Sequence, residues 1–501
     1  MFRTLIVALL FVPFASIYGQ ANDFASIKAQ MTDQSLPLVN LTYDEDKLNK
    51  YNFIDGTIEI VDKQMRTEAG KESVTYSAEF RIRGASAAGL KKKSFAIKLY
   101  KIKDNEKKDL DIAVFGIREE NSWILDAMGF DRIRMRTRTC FDLWNEMSGT
   151  PYNTKYGNRN GTKGEFVEVF INGKYNGLYC LSDKIDRKLL DLTKYNKKVD
   201  ESEAVHGLIY KGLQWEGNAI RLLDYDPKAS PNSTTWCAWE LEYPDDYPSY
   251  YTWQPLKELI KFCKSSTSDD DFLANYDTYF YKSNLVDYMV MTMALNVNDN
   301  LYKNTFLSVQ DVTNGHRYMI TPWDMDDSFG GKYNGERKDE LSDVTRYNST
   351  APYNRLYRKN IDGFADQVKK RWLALQNTVF SIEHVHSALD AYAAMIVSSG
   401  AWQREYKKWN GANSIPLTED ISVELAYVKD WYARNFTNLC NRWGWRGDVN
   451  GDNKVDMNDV NLLCDIIMEK TTDYKFYKAD VNGDTFINAA DLVEVISSIK
   501  Q

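Results

Sequence analysis

A chain of 501 residues exceeds the size at which a single hydrophobic core stops growing, so two or more domains are expected. Hydrophobic residues at 43% and charged residues at 27% leave ample material for packed cores. The net charge of −8 argues against nucleic acid as a standing partner, because phosphate binding needs a basic face.

The amino terminus has the pattern of an export signal. Arg3 supplies a positive charge, residues 5–14 form an apolar run too short to span a bilayer, and Ser16, Gly19 and Ala21 follow. Residues 1–20 are therefore expected to be a signal peptide, giving a secreted, extracellular protein, and no later segment has the length of a membrane span. The six cysteines are scattered without a CxxC pair, so neither a disulfide framework nor a zinc cluster emerges. His384 and His386, two apart, fit a helix surface.

In chain order, the alternation at Phe80, Ile82 and then Phe95, Ile97, Leu99 predicts two antiparallel strands. The loop between them holds Gly84, Ser86, Gly89 and a basic run from Lys91 to Lys93, which suits phosphate oxygens as well as a solvated hairpin tip. Another strand is expected at 121–126. Arg132, Arg134, Arg136 and Arg138 alternate ahead of an amphipathic helix with Phe141, Leu143, Trp144 and Met147 inward. Two β-rich runs flank Asn172-Gly173, a strong hairpin signal. Asp183 ends the second run, where a nucleotide-binding hinge would lie in a two-lobed kinase. An irregular stretch from 187 to 280 holds Trp239-Glu-Leu-Glu-Tyr-Pro244 and neighbouring acids, suited to substrate or lid duties or to a structural insertion.

A helix over 284–296 then delivers the chain to Asp299. Two strands around Asn314-Gly315 follow, leading to Trp323-Asp-Met-Asp-Asp327. Asp299 precedes Asn304 by five positions (304 − 299), and Asp324 and Asp326 come next. Phosphoryl transfer needs this inventory: a carboxylate facing the acceptor hydroxyl, and an amide and a carboxylate holding Mg²⁺. Residues 355–440 read as amphipathic helices, a helical second lobe.

Four segments in this order, RIRGxSxxGxxKKSFxIKL, EVFINGKYNGLYCLSDKID, WELEYP and NDNLYKNTF with ITPWDMDDSFG, resemble the CotH kinase family of secreted or spore-coat proteins. The resemblance implies an α+β, atypical two-lobed protein-kinase-like domain, with an antiparallel-sheet amino-terminal lobe and a helical carboxyl-terminal lobe. It also implies ATP with Mg²⁺ or Mn²⁺, and a protein Ser or Thr as acceptor. Asp299 would then be catalytic, Asn304, Asp324 and Asp326 would hold the metal, and Lys93 or Lys98 would meet the nucleotide, with Asp183 at the hinge. Glu146 or Asp142 would pair with the lysine. The chain differs from ordinary protein kinases in lacking HRD, DFG and GxGxxG.

The carboxyl terminus repeats itself. Asp448, Asn450, Asp452, Asp456 and Asp459 recur 32 residues later (480 − 448) as Asp480, Asn482, Asp484, Asn488 and Asp491. These are positions 1, 3, 5, 9 and 12 of a loop that wraps a hard cation with oxygen, and Lys454 and Phe486 would add backbone carbonyls at position 7. Position 12 is Asp rather than Glu, and Gly451 and Gly483 fall at position 4, unlike an EF-hand. Apolar helices follow at 460–468 and 492–499. The pattern resembles a type I dockerin, a small all-α module with two Ca²⁺ sites that docks onto the cohesin domain of a scaffold or surface protein. The expected division is 1–20 signal peptide, 21–443 kinase-like domain and 444–501 dockerin. Two other functions compete with an exported kinase: a catalytically inactive structural or adhesive component, and a carbohydrate-active enzyme of a polysaccharide-degrading complex.

Overall fold

Strand alternation in the first third of the chain buries one face of most strands, and the strands satisfy this by closing on themselves. The computed structural model describes residues 23–499 apart from 153, 231–232, 265–266, 302 and 413–414; the expected signal peptide at 1–20 lies outside them. Eight strands come first: β1 (Leu38–Tyr43), β2 (Ile54–Val61), β3 (Ser73–Arg83), β4 (Ser94–Lys103), β5 (Glu106–Asp109), β6 (Ser122–Asp126), β7 (Gly164–Ile171) and β8 (Lys174–Ser182). They run in the order β3-β2-β1-β7-β8-β6-β4, and β3 pairs again with β4, which closes a barrel; β5 continues beside the far half of β4. Only β1 and β7 pair in parallel. Leu41, Ile60, Phe80, Ile97, Leu125, Val169 and Leu181 fill the interior, as alternation in a closed sheet requires. The antiparallel-sheet lobe expected from the sequence is thus a barrel, which leaves no long unpaired edge among the described residues. The Asn172-Gly173 turn joins β7 to β8 as expected, both residues at positive φ.

A second, antiparallel sheet holds β9 (Leu208–Gly212), β10 (Thr235–Trp236), β11 (Trp239–Tyr243), β12 (Thr305–Val309) and β13 (Tyr318–Pro322), in the order β10-β11-β9-β12-β13. The WELEYP stretch, read from sequence as part of an irregular region, is therefore a strand, with Trp239 and Leu241 buried. The helix Lys282–Leu295 lies against β13, and it is buried all round, so it carries almost no amphipathic stripe. Helices Phe364–Leu375, Ile382–Ser398, Ala401–Trp409 and Ile421–Trp443 complete a helical layer. The fold is mixed α+β, with a small helical unit after residue 444. No helix among the described residues is long and apolar enough to cross a membrane.

Buried charge fastens the barrel to this layer. Glu405, on the helix Ala401–Trp409, takes Lys92 Nζ at 2.7 Å and Arg134 Nε at 2.8 Å on one oxygen, and the Leu178 amide of β8 at 2.8 Å on the other. Burial opposes its ionisation, but Lys92 and Arg134 hold its pKa below the ordinary range. Burial pushes Lys92 down to about 7, against Glu405 and helped by the charge of Arg134. Gly177 has φ +125, and a Cβ there would fall 2.5 Å from Glu405 Oε2, so the helix can approach only a glycine. Glu405→Ala strands two buried cations and is expected to lower the unfolding free energy by about 3–5 kcal/mol in urea titration. A loss below about 1 kcal/mol would contradict this role.

Candidate functional site

Two segments leave the same end of one hairpin, and this brings the acidic residues together. Thr305 of β12 pairs with Pro322 of β13, so Asn304 and Trp323-Asp324 emerge side by side. Asn304 and Asp324 both adopt left-handed backbone (φ +56 and +53), which Asn and Asp tolerate better than other side chains. Asn304 Nδ2 lies 3.5 Å from Asp324 Oδ2. On the other side, the helix Lys282–Leu295 ends at left-handed Asn296, and one 3₁₀ turn follows at Asp299–Leu301. The amides of Asn298 and Asp299 donate to Asp327 Oδ2 at 3.1 and 3.2 Å. Asn300 Nδ2 donates to the carbonyls of Asn304 and Trp323, both at 2.8 Å, and so ties the turn to both strand ends. Its own carbonyl accepts from Tyr288 Oη at 2.6 Å and Thr305 Oγ1 at 2.9 Å.

Carboxylates packed this closely raise one another's pKa. Burial, then repulsion from Asp327, pushes Asp299 up to about 8. Burial pushes Asp327 up to about 6, against Lys338 and the two amide donors. Asp326 is raised far above the carboxylate range by burial and by Asp324 and Asp327. Asp324 is exposed to solvent yet has protein on several sides. That confinement, then Asp126, raises its pKa; Arg83, Lys211 and Lys303 oppose the rise, and solvent screening tempers it. Asp299 Oδ1 and Asp327 Oδ1 are buried without a hydrogen-bond partner among the described residues. Unpaired anionic oxygens in a crowded carboxylate corner fit a divalent cation, because its charge would relieve both the repulsion and the missing bonds.

The barrel and the second sheet supply the facing wall. Arg83 ends β3, with its guanidinium 5.2 Å from the Trp323 ring centroid. Asp126 ends β6 and accepts from Ser94 Oγ at 3.2 Å and the Met128 amide at 3.0 Å. Lys211 on β9 lies 3.5 Å from Glu242 on β11.

The carboxyl-terminal loops fold around their own carboxylates. Asp459 accepts from the amides of Asn450 (3.0 Å) and Asp456 (2.9 Å), and Asp491 accepts from those of Val481 (2.7 Å), Asn482 (3.0 Å) and Asn488 (2.9 Å). Asp448, Asp459 and Asp491 are buried, and Asp480 Oδ1 is buried with no partner among the described residues. Gly451 and Gly483 take positive φ to turn each loop. Helices Met457–Ile467 and Ala489–Ile499 pack over a core of Val460, Leu463, Val481 and Val495. An oxygen-rich loop with an orphaned buried carboxylate oxygen fits calcium.

Residues 80–439 match the family model described as CotH kinase protein, and residues 446–500 match that of the dockerin type I domain. The chain belongs to the CotH kinase protein family. No curated protein matches it. Dockerin type I domains bind calcium, consistent with the two carboxyl-terminal loops of this CotH protein.

Of the site residues expected from sequence, the CotH domain gathers Asp299, Asn304, Asp324 and Asp326, and places the others elsewhere. Lys98 is exposed on the outside of the barrel, over the Phe53 ring at 4.7 Å, because Phe95, Ile97 and Leu99 take the inside. Lys93 Nζ donates to the Ala88 carbonyl of its own loop at 2.7 Å. Asp183 is buried against Arg118 (2.9 Å), Arg159 (2.8 Å) and the Lys163 amide (2.8 Å), which makes it a structural anchor. Asp142 pairs with Arg138 and Glu146 with His384, so neither meets a nucleotide lysine. Arg134, Arg136 and Arg138 also form internal pairs, and Arg132 donates to the Gly335 carbonyl. Sequence reasoning did not assign Arg83, Asp126, Lys211, Asn300 or Lys338 to this site. Arg83 and Asp126 each end an apolar strand, and that position was the available signal.

Two outcomes follow from these charges. With no divalent cation bound, the native state holds more protons than the unfolded chain between about pH 4, the unfolded Asp value, and pH 8, so stability falls as pH rises through that window. Asp299→Asn is expected to reduce that fall, raising stability at pH 8.5 in EDTA by on the order of 1–3 kcal/mol in urea titrations; an unchanged pH slope would refute the charge crowding. For the loops, calorimetry is expected to show about two Ca²⁺ per chain, with Asp491→Ala removing one; no Ca²⁺ binding by the parent protein would overturn the loop assignment.

Proposed function

We propose that this protein is an exported atypical protein kinase of the CotH type, transferring phosphate from ATP to Ser or Thr of a protein. Its dockerin tethers it to the cohesin domain of an extracellular scaffold or surface protein. The observation that carries the kinase reading is the convergence of Asp299, Asn304 and Asp324 at one hairpin end, within a chain that matches the CotH model.

In this proposal Asp299 faces the acceptor hydroxyl and takes its proton, which its burial and raised pKa favour. Asn304 and Asp324, with Asp326 beside them, would hold Mg²⁺ or Mn²⁺. When bound, that ion neutralises charge on the nucleotide phosphates. Asp327 positions Asp299 through its two amide acceptances, and Asn300 fixes the spacing between the two acidic segments. The barrel and the helical layer act as the two lobes of this kinase reading. The chain divides at about Gly444, after a signal peptide (1–20) and a kinase-like domain (21–443).

Incubation with labelled ATP, Mg²⁺ or Mn²⁺ and a Ser/Thr-rich acceptor is expected to give transfer that falls at least about 100-fold in Asp299→Ala and in Asp324→Ala. Nucleotide binding without transfer would instead mark a structural or adhesive component. Glycan cleavage with no nucleotide binding would replace the kinase with a carbohydrate-active enzyme.

A further inference from the structure

Arg83 differs from the other deeply placed arginines of this domain. Arg118, Arg134, Arg136, Arg138 and Arg159 each lie within an ion pair of a carboxylate. Arg83, half-buried at the end of β3, has no hydrogen bond or ion pair among the described residues. Its guanidinium lies over the Trp323 ring, 5.2 Å from the centroid. A guanidinium carries five N–H donors, and withdrawing them from water without acceptors is unfavourable.

Its surroundings say what is missing. Trp323 directly precedes Asp324, so the ring that supports Arg83 belongs to the same segment as the acidic corner. Asp126, Asp324 and Glu242 attract Arg83 electrostatically, yet none approaches within ion-pairing distance. Cation and carboxylates therefore face each other across a gap. A phosphate carrying a divalent ion has both matching sides: the carboxylates take the metal, and the planar guanidinium takes phosphate oxygens two at a time.

We infer that Arg83 binds a phosphate of the nucleotide, with Trp323 holding the guanidinium in place, in the position that sequence alone assigned to Lys93 or Lys98. This assignment rests on the kinase reading and adds the phosphate-binding group to it. Calorimetric titration of the full chain with Mg·ATP, comparing the parent protein with Arg83→Gln and Arg83→Lys, tests it. Arg83→Gln is expected to weaken Mg·ATP about 10- to 100-fold, as loss of charge-assisted hydrogen bonds does, with an intermediate loss in Arg83→Lys because its point charge lacks the fork. Thermal melting without ligand checks each fold, and should Arg83→Gln fail to fold, Arg83→Lys alone decides. Parent-like affinity in a folded variant would overturn the Arg83 assignment and leave the kinase reading standing. Absence of Mg·ATP binding by the parent protein would overturn both.

Discussion

Carboxylates crowded into a partly dry corner repel one another, and the centre of this fold exists to hold them there. Asp299, Asp324, Asp326 and Asp327 converge where β12 and β13 open, and their pKa values rise together. Neutral groups do the restraining. The Asn300 amide binds both strand ends, and Tyr288 and Thr305 hold the Asn300 carbonyl in turn. Two backbone amides fix Asp327. Each bond is modest by itself, but together they keep anions in place that would otherwise separate.

The rest of the CotH domain sets what faces this corner. Barrel closure turns the ends of β3 and β6 toward the second sheet, and Arg83 and Asp126 arrive with them. The barrel's outer face is then fastened to the helical layer by Glu405, wedged between Lys92, Arg134 and the Leu178 amide. Gly177 makes that approach sterically possible. A buried ion pair contributes little net stability when complete, but it fixes register strongly because breaking it is so unfavourable. Here it fixes how the helix Ala401–Trp409 seats on β8.

Buried carboxylates are thus gathered twice in one acidic chain, by two constructions. In the carboxyl-terminal module every oxygen comes from within twelve consecutive residues, with Gly451 and Gly483 bending the loop back on itself. In the CotH domain, the carboxylates come from a helix end, a hairpin and the barrel strand that ends at Asp126. The two parts also touch: Gln376 donates to the Gly444 carbonyl at 2.7 Å and accepts from the Arg446 amide at 3.0 Å. The junction is therefore held by hydrogen bonds on both sides of Trp445.

What the sequence determined by itself was local. The Asn172-Gly173 hairpin, the two calcium-type loops, and Asp299, Asn304 and Asp324 flanking one hairpin were legible because neighbouring residues and backbone geometry decide them. Pattern also put Lys98 on the face opposite Phe95, Ile97 and Leu99. Only tertiary structure decided that this face is the outside of a barrel, because closure depends on β1 lying beside β7, strands separated by more than a hundred residues. Distance in sequence likewise hid Arg83 and Asp126, and it hid the partners that make Asp183 an anchor instead of a hinge. A side chain's chemistry can be read from its type and spacing, but which charges it faces depends on where other elements pack.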